Sequence, residues 1–331
     1  MRGAFILAAT VVIIAIILLG LSLKTTEPPA TTTTPPEIMR KNKIPVEAEK
    51  VTPTSDSHPP ILHSSLYEDP VPLGAGVNTA GGEDSPFITP DGATLYFFFT
   101  PDVSIPAEQQ LFDGVTGIWV STRRPDGTWG EAERIHLQDK GKLALDGAEY
   151  VSGDTMLFAS AREGYEGIGW YQADRVDGIW TNWRNVDDLL KTEEYQTGEL
   201  HISSDGSTLY FHSTRPGGAG GLDIWTSTRD GDTWGEPETI PAVNTLGDEG
   251  WPALSPIGDE LWFIRTYLGT PAIYRSLLVD GEWDSPELVL SQFAGEPSVD
   301  EAGNLYFVHH YYRDNIMIEA DIYVARPKTS P

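Results

Sequence analysis

"GELHISSDGSTLYFHSTRPGGAGGLDIWTSTRDGDTWGEPETI", Gly198 to Ile240, reads as four antiparallel strands. An alternating run meets an Asp-Gly turn, and a second run ends in Phe211. A Gly-rich connection leads to a third run around Trp225, and another turn precedes Trp234. Strict alternation interrupted by Gly and Asp is the pattern of strands joined by tight turns.

The opening of that unit occurs four more times: "GEDSPFITPDGATLYF" (82–97), "AEYVSGDTMLF" (148–158), "DEGWPALSPIGDELWF" (248–263) and "GEPSVDEAGNLYF" (295–307). Second strands end in Phe97, Phe158, Phe211, Phe263 and Phe307. Third strands carry an aromatic at Trp119, Trp170, Trp225, Tyr274 and Tyr323, and fourth strands are marked by Trp129, Trp180, Trp234 and Trp283. Four strands recurring every 45–50 residues or so predict an all-β fold, a five-bladed β-propeller. The fifth unit has three strands before the chain reaches Pro331. Aligned on the "VNT" shared by residues 77–79 and 243–245, Tyr67–Leu73 takes the place of its fourth strand. The N-terminal strand then closes the ring and leaves no sheet edge exposed, so a monomer is expected.

The patterns "E-x-x-P-x-x-S/T-P-D-G-x-x-L-Y-F", "S-T-R-P-G-G-x-G-G-L-D-I-W" and "W-G-E-P-E-x-I" resemble the WD40-like β-propeller repeat of extracytoplasmic proteins, the class that includes Tol-system propellers. The resemblance spans residues 65 to 326; the second unit lacks the Pro-Asp-Gly and the fifth departs from it at "VDEAGN". It implies a binding platform and no particular chemistry.

Ala4–Leu23 is an uncharged run of the length that spans a ~30 Å hydrocarbon core as a helix. We read residues 1–24 as a signal-anchor, 25–60 as an extended Thr/Pro-rich linker and 61–327 as the propeller. This places a single-pass protein in the cell membrane with its propeller outside the cytoplasm, or secretes the propeller if the N-terminal segment is cleaved. Val186–Tyr195, "VDDLLKTEEY", is the one internal stretch with helical character. The chain has no cysteine, which excludes disulfides, thiolate metal sites and a catalytic thiol. A net charge of −27 argues against nucleic acid as a partner, and the membrane is expected to be met only through the N-terminal helix.

Turns between first and second strands are short, whereas the connections on the other face are long: 101–117, 136–147, 182–198, 215–222 and 309–320. Long loops on a rigid scaffold mark the face that binds a protein or glycan. Glu83, Glu149, Glu199, Glu249 and Glu296 each stand near the start of an innermost strand, which puts them around the channel mouth. Their recurrence fits a folding role first, with Arg162, Arg215 and Arg265 as partners. Trp251, Arg215, Tyr267 and His309 complete the set of binding candidates. No cofactor is expected, although oxygen-only ligands would suit calcium. A glycoside hydrolase using these acids is the alternative; against it, equivalent surroundings would not give two carboxyls different pKa values. Neither "STRRPDGTW" nor "STRDGDTW" meets the spacing of a sialidase Asp box, and no nucleophile elbow, zinc-binding H-E-x-x-H or phosphate loop is present.

Overall fold

The computed structural model describes residues 39–186, 197–231 and 233–328. Ala4–Leu23 and nearly all of the expected helix at 186–195 lie outside the described residues. Among the described residues no helix is long and apolar enough to cross a membrane.

The strands pair into antiparallel meanders in chain order. The first comprises Gly82–Ile88, Thr94–Thr100, Gly117–Thr122 and Glu133–Arg134; the second, Ala144–Ser152, Thr155–Arg162, Ile168–Val176 and Ile179–Asn185. The third runs through Thr197–Ile202, Thr208–Ser213, Asp223–Asp230 and Glu238–Thr239, and the fourth through Glu249–Leu254, Glu260–Tyr267, Thr270–Val279 and Glu287–Ser291. The fifth consists of Ala294–Val299, Leu305–Arg313 and Ile316–Ala325, with Val71–Pro72 as its outer strand. One parallel pair, Ala320 with Gly82, links the fifth meander to the first.

The closure expected from "VNT" is present in the pairing. Val71 faces Val324 and Pro72 faces Tyr323, and backbone bonds from Glu68 N to Arg326 O and from Leu73 N to Ile322 O extend the ladder. A further strand, Ile61–Leu62, pairs with Leu290–Ser291 and widens the fourth meander, which the sequence did not indicate.

The hairpin turns explain the repeat chemistry. Gly92, Gly206, Gly258 and Gly303, at φ 67–79°, each donate N–H to a carbonyl three residues back, a backbone conformation open to glycine. The second unit turns on Gly153 at φ 57° instead, which is why it needs no Pro-Asp-Gly.

All five Phe residues that end the second strands are fully buried. They face Trp119, Tyr171, Trp225, Tyr274 and Tyr323 across the ladder. In the second unit the partner is therefore Tyr171 and not Trp170, because a one-residue step flips a strand side chain to the opposite face. Outer aromatics then pack edge-on against the preceding meander: Trp129 on Tyr306, Trp180 on Tyr96, Trp283 on Tyr210 and Tyr67 on Trp262. Tyr67 thus occupies the place that tryptophan holds elsewhere. The main apolar clusters lie between successive meanders, including one shared by the fifth and the first.

Two expectations need correction. The predicted loop 309–320 is a hairpin whose turn is Asp314–Asn315, both in the left-handed region. The linker expected to reach residue 60 packs onto the meanders from at least Arg40, which is 1% exposed. Its few apolar residues hid this, since the segment is held by charge.

Candidate functional site

Each innermost strand carries a β-bulge, and each bulge holds a non-glycine residue at positive φ: Ser85, Ala148, Glu199, Trp251 and Glu296, at 33–54°. Backbone in this region is sparsely populated, and bulges redirect side chains. Here they line one pocket with residues from all five meanders: Ser85 and Pro86, Glu149, Glu199 with His201, Trp251 and Pro252, and Glu296 with Pro297.

Register at the bulge divides the five glutamates into two kinds. Glu83 and Glu249 lie two residues before it, are fully buried and serve the fold. Glu249 accepts from Thr245 N–H (2.8 Å), the Thr245 hydroxyl (2.6 Å) and Arg265 Nε (2.8 Å), while Arg265 also donates to Val243 O (2.5 Å). Glu83 has matching partners in Thr79 N–H (2.9 Å) and the Thr79 hydroxyl (2.6 Å). Position 99, where an arginine would follow by analogy with Arg265, is phenylalanine, and the cation comes from the N-terminal segment. Arg40 donates to Glu83 (3.0 Å), Val77 O (2.6 Å) and Gly76 O (2.8 Å). Burial pushes Glu83 up; Arg40 and Thr79 oppose it.

This cation over an aromatic pair is itself a repeat. Arg162 lies over Phe158 and Tyr171 and pairs with Asp146 (2.9 Å), Arg215 lies over Phe211 and Trp225, and Arg265 over Phe263 and Tyr274. Arg40 lies over Phe97, Phe99 and Trp119. In the fifth meander Lys50 pairs with Glu319 and Asp321 and sits over Tyr311. The repeated "VNT" turn is explained as well. Asn78 donates to Ile322 O and accepts from Ile322 N, and Asn244 does the same with Ile224, so each joint clamps a third strand.

Glu149, Glu199 and Glu296 face the pocket. Both carboxyl oxygens of Glu149, one of Glu199 and one of Glu296 are buried without a hydrogen-bond partner, as is the indole N–H of Trp251. Burial pushes all three carboxyls up, Glu199 to about 8, and the charge of Asp84 adds to the shift in each. Asp84 goes the other way. Burial would raise it, but His310 (3.4 Å), a hydrogen bond from Glu296 and the Ser85 N–H (3.0 Å) hold it below the ordinary carboxylate range. The pocket's carboxyls are thus held toward their neutral form, while the neighbouring Asp84 is held toward its ionised form. Two histidines stand close by and are kept neutral by burial, both down to about 3. His201 is edge-on to Tyr150 at 4.8 Å, and His212 accepts from Trp251 N–H (3.1 Å).

The other candidates fall elsewhere. His309 is fully buried with Nε2 on Asp56 (2.9 Å), Tyr267 lies at a hairpin end against His63, and Arg215 covers the Phe211–Trp225 pair. His201 lines the pocket, and Asp84, bonded to Glu296 and His310, was not anticipated, because only the bulge brings it beside Glu296. Among the described residues no three His, Asp or Glu side chains are gathered closely enough to hold a metal ion.

No protein-family model matches the chain, and no characterised protein matches it by sequence. Solved structures do match in fold. A thermostable family-43 glycoside hydrolase aligns with a TM-score of 0.51 at 13% identity over 78% of this chain and 93% of its own. TolB from Acinetobacter baumannii aligns at 0.45 and 18% identity over 76% of this chain and 56% of its own, so this chain spans little more than half of TolB. An endo-arabinase from Bacteroides thetaiotaomicron aligns at 0.46 and 15%, over 81% and 99%. The likeness is one of propeller fold.

Proposed function

We propose that this chain is a five-bladed propeller with WD40-like repeats, carried outside the cytoplasm on its N-terminal helix. As a monomer it binds a polar group of a protein or glycan at its axial pocket without transforming it. The observation that carries this reading is the set of buried, unpartnered carboxyl oxygens of Glu149, Glu199 and Glu296 at the bulges. Leaving such atoms without partners costs about 1–3 kcal/mol each, a cost that a ligand offering hydrogen bonds would offset. Polar groups that converge on one concave space are a usual feature of a small-ligand site.

One observation favours a second reading, a glycoside hydrolase like the family-43 neighbour. Asp84 and Glu199 do not share equivalent surroundings: one is held ionised and the other is pushed up to about 8. The objection raised from the repeat still holds among the glutamates, which all shift alike, but Asp84 stands outside that set and supplies the difference that division of labour needs. The test is a glycan array paired with a hydrolysis assay on the full chain. Retention without turnover, weakened by Glu149→Gln or Glu199→Gln, supports the binding reading. Turnover abolished by Asp84→Asn or Glu199→Gln would replace it with the enzyme.

A further inference from the structure

The axial carboxyls differ from the other buried acids of the molecule in one respect. Glu83 meets Arg40, Asp146 meets Arg162, Glu249 meets Arg265, and Glu319 with Asp321 meets Lys50. Asp223 accepts from Ala219 and Gly220 N–H, and Asp300 from Asn304 N–H and its side-chain amide. Glu149 and Glu296, 6% and 7% exposed, have neither arrangement completed, and no lysine or arginine lines their pocket. Trp251 and Phe87 bring aromatic surface to the same space, as aromatic rings do beneath the internal cations. A single metal ion needs oxygens within about 2.3–2.6 Å of one point. These side chains come from separate meanders and are not gathered in that way. A larger cation with several N–H donors can reach carboxyls distributed around an axis.

We infer that the axial pocket accepts an organic cation, a primary ammonium or guanidinium group presented by the ligand, whose N–H donors bind Glu149, Glu199 and Glu296. The inference rests on the binding reading above and specifies the anchoring group. The ligand's charge ionises carboxyls that are protonated when the pocket is empty, so binding expels protons to solvent. The titratable groups facing these three are Asp84 with His310, His201 and Tyr150, and His212 behind Trp251. Burial keeps His201 and His212 neutral, so they neither oppose the cation nor supply the protons.

The experiment is isothermal calorimetry on the full chain near neutral pH, in two buffers of different protonation enthalpy. The probes are N-acetyl-lysine amide against its Nε-acetylated form, and glucosamine against N-acetylglucosamine. The first pair reports a side-chain ammonium and the second a sugar amine. We expect the charged member of at least one pair to bind with proton release, its neutral counterpart to bind at least tenfold more weakly, and affinity to rise with pH. Glu149→Gln and Glu199→Gln should each weaken the charged probe on the order of 30-fold and reduce the protons released. Equal binding of a charged probe and its neutral partner, or binding without proton release, overturns the inference but leaves a polar-ligand pocket. Failure of all four probes overturns the inference, and failure of neutral glycans and peptides as well overturns the binding reading beneath it.

Discussion

Replacing Arg40 with methionine removes a cation from a place that water does not reach. Glu83 is fully buried and would keep only the Thr79 N–H and hydroxyl, while the Val77 and Gly76 carbonyls would lose their guanidinium donor. Removing one partner of a buried ion pair costs about 3–5 kcal/mol. Glu83 can limit that cost by taking up a proton, the direction in which burial already pushes it. The unfolded chain ionises this carboxyl near its ordinary 4.5, whereas the variant's fold holds it protonated to higher pH. Stability is therefore lost as pH climbs through that interval, at most ~1.4 kcal/mol per unit. The variant's deficit should be greatest near pH 8 and smaller near pH 5. Urea unfolding of wild type, Arg40→Met, Glu83→Gln and the double variant, followed by tryptophan fluorescence, measures it. A coupling of about 2–3 kcal/mol is expected near pH 8. Arg265→Met should also destabilise the fold by urea unfolding, because Arg265 holds Glu249 and Val243 O in the corresponding places. A loss below ~1 kcal/mol for Arg40→Met near pH 8 would refute the assignment of residues 39–60 to the folded unit.

Glu199→Gln should flatten the pH dependence of stability: wild type loses up to a few kcal/mol between its ordinary 4.5 and about 8, and the variant loses less, as thermal melts across that range would record. Tyr67→Ala removes the ring that packs on Trp262 at the closure and should cost about 3–5 kcal/mol by urea unfolding; a loss under 1 kcal/mol would mean that this contact does not hold the ring shut. Asn244→Ala leaves the buried N–H and C=O of Ile224 without partners and should cost about 2 kcal/mol or more, read by the same assay, with Thr245→Val a comparison that removes the hydroxyl's bonds to Glu249 and Gly247 N–H but leaves Ile224 held.

Period-two alternation and Asp-Gly turns made the meanders legible, and the shared "VNT" located the closing strand. The fine register was harder to see. Trp170 and Tyr171 are adjacent aromatics, and only cross-strand pairing shows which one faces Phe158. The bulges were invisible, because a residue at positive φ without glycine leaves no mark in the sequence. They decide that Glu83 and Glu249 are sealed beneath the pocket while Glu149, Glu199 and Glu296 line it. Arg40 and Lys50 were assigned to an unpacked linker because apolar content is the usual sign of packing, and these residues are held by carboxylates and ring faces instead.

The route by which Lys50 reaches Glu319 and Asp321 constrains how the ring is made. The segment that supplies Lys50 and the closing strand leaves the ribosome before the meanders, yet its partners Glu319, Tyr323 and Val324 follow far behind, with 269 residues separating Lys50 from Glu319. During synthesis Lys50 and the closing strand must wait, solvated, while the first four meanders form behind them. Contacts of such sequence separation are slow to form, and a chain awaiting them exposes strand edges. Closure is then the final step of folding: Lys50 can reach its carboxylates only when it is complete, whereas Arg40 finds Glu83, Val77 and Gly76 as soon as the first meander forms.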